Sequence, residues 1–575
     1  MTLKRRLILL VVTLASFSAF AIPRPEYPRP QFERSNWINL NGEWSYTIDF
    51  SGSGFERGLV RSEGFDKKIT VPFCPESKLS GVEFKDFVEN LWYQRKISIP
   101  KEWDGKNILL NFGAVYYEAE IYIDGKFALR HFGGTTSFSV DITRFVKPGG
   151  QHNLVVYVHS SLRNEMQPGG KQSTRYNSHT CNYTRTTGIW QTVWLEAVAP
   201  GGLQQVQIAT DIDQGHIVIN PRFYSLKGGK LQVTVKDGTT VVAKSTTPVS
   251  ESSPVVIPIK NAKLWSPESP FLYGVVYEVL SSSNEVVDTV ISYVGMRRIH
   301  ASGNKIYLNN KPLYLRMVLD QGFYPDGIWT APTDAALKQD IELSMSCGFN
   351  GGRLHQKVFE ERFHYWADKL GYLTWGESSS WGLDYNRFEA ARIFTPEWVE
   401  ILERDRNHPS IIAWTPNNEQ NNIGFGRELQ KSGEDDSAVK KFFKPEFRNR
   451  LDAVVKFNGL DKISMKKIVV KFLNELNELL AEKQIKLRST ETLVNHLVEV
   501  GFDRAMGARP LARKISELIK VPLSKKILFE NISIGSTITA DYSNEAVEFI
   551  VVEPIDEIAL LENKTVDDNG FIVIE

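Results

Sequence analysis

No tryptophan follows Trp414. All 13 tryptophans stand at or before that residue, and the three cysteines, Cys74, Cys181 and Cys347, end earlier still. From residue 423 onward, Lys, Glu and Leu at helical spacing take over. Large aromatic side chains dominate the cores they enter, so a break this sharp marks two parts with different cores. The chain reads as two pieces of separate origin joined at about residues 415–423, with the stretch 411–420 as the seam.

Other whole-chain features narrow the function classes. The formal net charge is +0, which gives no electrostatic footprint for nucleic acid. Three scattered cysteines make neither a disulfide framework nor a zinc site; they read as three buried free thiols, with one disulfide as the alternative. Lys4, Arg5 and Arg6, an apolar run from Leu7 to Phe20 and the Ala19-Phe-Ala21 end have the form of a secretory signal over residues 1–21. Its apolar run is too short to span a bilayer, which takes about 20 residues. The expectation is a secreted or periplasmic protein, with no membrane contact after cleavage.

Short alternating strands fill residues 22–200, among them Trp44-Ser-Tyr-Thr-Ile-Asp49, Ile108-Leu-Leu-Asn-Phe112 and Leu154-Val-Val-Tyr-Val158. Asp124-Gly125 marks a tight hairpin turn. Many short strands with little helix predict a jelly-roll β-sandwich. Residues 201–298, with Leu231-Gln-Val-Thr-Val235 and Asp237-Gly238, predict an immunoglobulin-like sandwich on strand spacing alone.

From residue 299 the period changes. Leu313-Tyr-Leu-Arg-Met-Val-Leu319 reads as one buried strand. A helix over 334–347 follows, with Leu337, Ile341 and Met345 on its inner face. Short strands at 350–355, 372–375 and 411–414 alternate with helices over 359–370 and 396–406, the latter capped by Thr395 with Pro396 at its first position. Four strand–helix repeats predict a parallel α/β unit. A closed (β/α)8 TIM-type barrel needs eight strands and about 250 residues, so residues 299–420 make only its first half. The remainder is mostly helical: a helix over 465–483 with Ile468, Phe472, Leu476 and Leu479 facing inward, helices over 491–500 and 508–529, a hairpin over 538–552, and an acidic tail at 554–575.

Asn41-Gly-Glu-Trp44, Leu91-Trp-Tyr-Gln-Arg95, Thr187-Gly-Ile-Trp-Gln-Thr-Val-Trp-Leu195, Leu264-Trp-Ser-Pro267, Val294-Gly-Met-Arg-Arg298 and Asn309-Asn-Lys-Pro312 occur in that order. In these landmarks residues 30–420 resemble glycoside hydrolase family 2, the β-galactosidase, β-glucuronidase and β-mannosidase group. The resemblance implies retaining hydrolysis of β-glycosides, which uses an acid/base and a nucleophilic carboxylate about 5–5.5 Å apart. By that resemblance Glu419 is the acid/base and Asn418 holds the sugar 2-hydroxyl. Asp320, Arg353, His355, Glu377 and Trp381 line the strand ends as sugar-binding candidates. The family's nucleophile lies near the seventh barrel strand, a part this chain lacks, so a catalytically defective glycosidase relative is expected, with a carbohydrate as ligand.

Phe443-Lys-Pro-Glu-Phe-Arg-Asn-Arg-Leu-Asp452 and Gly501-Phe-Asp-Arg-Ala-Met-Gly-Ala-Arg-Pro-Leu-Ala-Arg513 resemble the arginine-finger and sensor-2 segments of a ClpA-type AAA+ Clp ATPase. Residues 421–553 would then be its C-terminal lid, with Arg450 the finger and Arg509 the sensor. No Gly-x-x-x-x-Gly-Lys-Ser/Thr phosphate loop occurs anywhere in the chain. Both arginines are therefore expected to be vestigial. No cofactor is called for, since ATP would bind only with a complete AAA+ core. An open half-barrel is also expected to leave strand edges that invite self-association.

Overall fold

The computed structural model describes residues 22–419 apart from 227–228 and 385–386. It also describes 462–553 apart from 482–483, 502–508, 531 and 544–545, and the short strands Lys564–Val566 and Ile572–Ile574. The signal-like segment and Arg450 lie outside the described residues. The chain forms two compact units, one within Met1–Val454 and one within Val455–Glu575.

The first unit begins with a sandwich. A six-stranded antiparallel sheet centres on Asn90–Ser98 and Gln151–His159. A four-stranded sheet centres on Val193–Val198 and Asn107–Phe112. Alternation puts Leu91, Tyr93, Leu110, Phe112, Leu154, Val156 and Leu195 between the sheets, all fully buried. The hairpin between Glu118–Ile123 and Lys126–Phe132 turns on Asp124 and Gly125, at φ 50° and 72°. Two positive φ values are what a two-residue turn needs to follow the strand twist. A second sandwich packs the sheet His216–Phe223 with its neighbours against the sheet of Lys230–Asp237 and Tyr273–Leu280. Val233, Val235, Ile217, Ile219 and Val275 fill its core.

Next come four parallel strands in chain order: Met317–Asp320, Gly351–Leu354, Leu373–Glu377 and Ile411–Thr415. Helices Asp334–Ser346, Glu361–Leu370 and Phe388–Asp405 connect them. Trp265 and Asp368 tie this sheet to the second sandwich. The Trp265 indole donates to the Asp368 carbonyl at 2.7 Å. The buried Asp368 carboxylate accepts from Tyr293 Oη at 2.8 Å and Ser410 N at 2.9 Å, and meets His408 Nδ1 at 2.6 Å.

Several local expectations are corrected. The run 313–319 is not one strand. Leu313 closes a three-stranded antiparallel meander that starts at Ile299, and the parallel strand starts only at Met317. Between them the Asn350 side chain holds Arg316 N and the Tyr314 carbonyl, both at 2.8 Å, so these residues bridge two sheets, and Tyr314 is 77% exposed. Thr395 does not cap a helix, because Phe388–Asp405 runs through Pro396. Ala390, Phe394, Trp398, Ile401 and Leu402 form one buried stripe across it, and packing of that stripe outweighs the lost backbone bond. Met345 lies outside its helix's buried face, which Leu337 and Ile341 make. Of the cysteines only Cys74 is buried; Cys181 and Cys347 are exposed, and all three are free.

In the second unit the helix Lys462–Ala481 buries Met465, Val469, Leu473, Leu476 and Leu480. Leu476 is buried as expected, and Ile468 and Phe472 pack partly buried against this core, but the expected inner residue Leu479 is 60% exposed because the buried stripe ends on Leu480. Helix Glu491–Val500 starts at Thr490, whose Oγ1 accepts from Leu493 N at 3.2 Å. Arg509–Ile515 and Val521–Phe529 form a near-continuous helix interrupted by a π turn at Ser516–Lys520. The hairpin Thr537–Ser543 and Ala546–Val552 gains a third, parallel strand, Lys486–Ser489, which the polar alternation of Lys486-Leu-Arg-Ser489 concealed.

Candidate functional site

Parallel pairing sends all four strand C-termini to one side, where ligands of open α/β sheets sit. Asp320 pairs with Leu354, Arg353 with Trp375 and Glu377 with Thr415. The register therefore brings Arg353, His355, Glu377 and the 416–419 turn to one rim. Close approach demands glycine here: a Cβ on Gly376 would stand 2.7 Å from the Trp414 ring, and one on Gly351 2.4 Å from the Leu373 carbonyl.

Glu377 is the centre of the rim. Its carboxylate is buried, and both oxygens are engaged. Oε2 accepts from Arg353 Nε at 2.7 Å and lies 2.6 Å from Arg353 Nη2. Oε1 accepts from Gln356 N at 3.1 Å and lies 2.9 Å from His355 Nδ1. The His355 contact is an ion-pair approach without hydrogen-bond alignment. Arg353 reaches on to Asn418, its Nη2 donating to Oδ1 at 2.6 Å. That bond turns the Asn418 amide nitrogen the other way. Asn418 Nδ2 is buried without a hydrogen-bond partner among the described residues, a costly state that a ligand acceptor would relieve.

Trp381 donates its indole N–H to the Asn418 carbonyl at 3.2 Å and stands edge-on to His355 at 6.4 Å. Arg353, His355, Glu377, Trp381 and Asn418 thus form one connected cluster. Glu419, next along the chain, is exposed, in the left-handed region at φ 55°.

Asp320 stands one step away. Its Oδ1 accepts from Gly322 N at 2.8 Å and its carbonyl from His355 N at 2.6 Å. Burial raises its pKa, opposed by the Gly322 bond and by Lys357. Lys357 is itself buried and donates to the Trp329 carbonyl at 2.7 Å and to the Gly322 carbonyl. Burial lowers its pKa to about 8 against the pull of Glu360, Asp320 and Asp340. Among the described residues no cluster of His, Cys, Asp and Glu suits a metal.

Sequence reasoning missed two parts of this site. Gln356, at φ 56°, is pinned by its bond to Glu377, by Oε1 accepting from Trp381 N at 2.9 Å and by Nε2 donating to Ser380 Oγ at 3.2 Å. Its only signal was adjacency to His355. The other is Gly169-Gly170-Lys171, a loop of the first sandwich. Gly169 N and Gly170 N donate to the Trp381 carbonyl at 2.6 and 3.1 Å, and Lys171 Nζ lies 3.4 Å over the Trp381 ring. A Cβ on Gly170 would come 2.2 Å from the Gln356 carbonyl. Arg509, in the second unit, is the first residue of its helix.

Comparison with known proteins finds likeness in both parts of the chain. Residues 60–198 match the sugar binding domain of Glycosyl hydrolases family 2, and residues 203–297 match the Glycosyl hydrolases family 2 domain. A β-glucuronidase of Paenibacillus borealis is 23% identical over 411 residues, 66% of this chain and 67% of that protein. A β-galactosidase of Thermoanaerobacter pseudethanolicus is 26% identical over 400 residues, covering 66% of this chain and 51% of its own length. The chain thus spans about half to two thirds of the length of these two relatives. The crystal structure of the Ruminococcus gnavus β-glucuronidase superposes with TM-score 0.63 at 21% identity over 73% of each chain, a likeness of fold. Residues 460–540 match the C-terminal D2-small domain of ClpB protein. A ClpA homolog protein of Fuscovulum blasticum is 41% identical over 132 residues, which is 23% of this chain and 16% of that protein. One chain therefore carries domains that match glycosyl hydrolase family 2 at residues 60–198 and 203–297, a region similar to a β-glucuronidase and a β-galactosidase, and a domain that matches the D2-small domain of ClpB protein at residues 460–540.

Proposed function

We propose that residues 22–419 are an exported glycosidase-type body that holds a carbohydrate at the strand ends of a half (β/α)8 barrel and turns it over poorly or not at all. The observation that carries this reading is the state of Glu377. Retaining hydrolysis needs a carboxylate free to attack the anomeric carbon, opposite the acid. Glu419 has the exposure a proton donor to a leaving oxygen needs. Glu377, the buried carboxylate of the same rim, spends both oxygens on Arg353, Gln356 and His355. It acts as the anion that positions Arg353 and, through it, Asn418. The Asn418 Nδ2 donor, without a partner among the described residues, and the Trp381 ring supply a hydroxyl-binding donor and an apolar platform for a sugar.

Release of 4-nitrophenol from aryl β-glucuronides and β-galactosides tests the reading. The expected rate equals that of Glu419→Gln. A rate that Glu419→Gln abolishes would show that a working nucleophile exists and sink the proposal of defective catalysis.

The match at residues 460–540 favours a second reading, a Clp-type lid acting through partners. A lid places arginines on a nucleotide phosphate, which Arg450 and Arg509 would do only beside a phosphate loop. The expected result is no ATP-dependent assembly of the full chain, and ATP-dependent oligomers in light scattering would favour this second reading instead.

A further inference from the structure

Lys171 reaches from the first sandwich to the strand-end rim, where its ammonium ends against two groups. Nζ lies 3.4 Å over the Trp381 ring and donates to Cys181 Sγ at 3.4 Å. Cys181 stands outside the cluster of Arg353, His355, Glu377, Trp381 and Asn418. We infer that Cys181 is an oxidative modification site, a thiol that a hydroperoxide converts to a sulfenate, and that its oxidation draws the Lys171 ammonium away from the Trp381 ring.

The loop fixes the pair. Tyr183 N donates to the Lys171 carbonyl at 2.8 Å, and Ser173 N to the Tyr183 carbonyl at 2.7 Å. His179 and Asn182 exchange backbone hydrogen bonds at 3.0 and 2.8 Å. Thr180 and Cys181 are therefore the tip of a two-residue turn, with Thr180 at φ 50°. Cys181 is exposed, whereas Lys171 is 4% exposed. The bond to Cys181 Sγ is the one hydrogen bond of the Lys171 side chain among the described residues, and no carboxylate pairs with it there. A buried ammonium without an anion is costly, and the group it is aimed at can become one. An ammonium held against a sulfur also favours the thiolate, which is the form that reacts.

In the step itself the thiolate sulfur attacks one oxygen of the hydroperoxide. An S–O bond forms as the O–O bond breaks, and sulfur gives up two electrons to the peroxide. With hydrogen peroxide the leaving hydroxide takes the sulfenic proton and departs as water, and the sulfenate remains. Its oxygen accepts a charge-assisted bond from Lys171, a stronger attraction than a ring face offers. The other two cysteines lack this setting. Cys74 is buried, which pushes its thiol well above the usual range. Cys347 is exposed but caps the C-terminus of the helix Asp334–Ser346, where the negative end of the helix dipole opposes a thiolate.

Treatment of the full-length chain with limiting hydrogen peroxide, trapping with a 1,3-dione that labels sulfenic acids and peptide mass mapping test the site. Cys181 is expected to label about tenfold faster than Cys347 or more, and Cys74 not at all in the folded chain. Lys171→Met should slow labelling of Cys181 about tenfold, and Lys171→Arg should recover part of the rate. The comparison of Cys181 with Cys347 is made within the parent chain, so it decides the matter even where a Lys171 variant fails to fold. Equal labelling of Cys181 and Cys347, or a Cys181 rate unchanged in Lys171→Met, would overturn the inference. Tryptophan emission reads the link to the rim: peroxide should shift it in the parent chain and leave it unchanged in Cys181→Ser. The same response in both chains would overturn that link.

Discussion

The first sandwich and the parallel sheet are built from strands of similar composition, yet they treat their side chains differently. In the sandwich, central strands such as Asn90–Ser98 and Val193–Val198 carry runs of fully buried residues. In the parallel sheet only the two inner strands do. The outer strand Met317–Asp320 has no fully buried residue, and Ile411–Thr415 has one. A strand is buried on both sides only if it has a neighbour on both sides. The sandwich closes its core by facing one sheet with another, whereas each outer strand of the four-stranded parallel sheet has a strand neighbour on one side only among the described residues.

Core truncation should expose this contrast most strongly. Leu154→Ala, between the sandwich sheets, is expected to cost about 3 kcal/mol, against less than about 1 kcal/mol for Val318→Ala on the outer parallel strand. Urea unfolding followed by tryptophan fluorescence reads both, and equal losses would mean that something covers the outer strand.

The second test sets two carboxylates apart. Glu377→Gln leaves Arg353 and His355 around a neutral group and should cost about 3 kcal/mol. Glu419→Gln, at an exposed turn, should change the unfolding midpoint by less than about 0.5 kcal/mol. A large loss in Glu419→Gln would show that Glu419 is a structural residue and not a held-out acid.

A pH test comes next. Glu76 ionises in the unfolded chain near 4.5 and in the sandwich at about 7, because burial disfavours its charge. The folded state then holds the extra proton, so this group's contribution is complete below about 4.5 and is lost as pH rises through about 7. The loss is on the order of 3 kcal/mol, at 1.36 kcal/mol per pH unit. Glu76→Gln should flatten the stability profile between pH 4.5 and 8 relative to the parent chain. A profile unchanged by the substitution would mean that Glu76 is ionised in the fold.

The smallest expected effect concerns the clamp between the two regions. Lys171→Met keeps the side chain over Trp381 but removes the cation–ring attraction, worth about 0.5–2 kcal/mol. Thermal unfolding should shift down by a few degrees at most, and a larger drop would mean that the clamp carries the docking of sandwich on sheet.

Much of the strand-end cluster was legible because the period of a strand decides which residues reach its end. Arg353 and His355 fall in the short strand-like stretch 350–355 and Glu377 ends the strand that starts at Tyr372, while the resemblance supplied Asn418. Gln356 and Lys171 were not legible. Gln356 is defined by a backbone conformation at positive φ, which its side chain does not advertise. Lys171 is defined by a contact between residues some 200 positions apart in sequence. The same reason hid Pro396, where a buried stripe on both sides of the proline overrode its reading as a helix start.

The sequence by itself determined that two unrelated parts meet near residue 420, that the first is strand-rich and then α/β, and which residue types gather at the strand ends. Those follow from composition and period, which are local. Only the tertiary structure decided that both oxygens of Glu377 are engaged, that the Asn418 amide nitrogen has no hydrogen-bond partner among the described residues, and that two arginines share one ring in the first sandwich. Each depends on distances between residues far apart in the chain, set by register and packing and invisible to any local pattern.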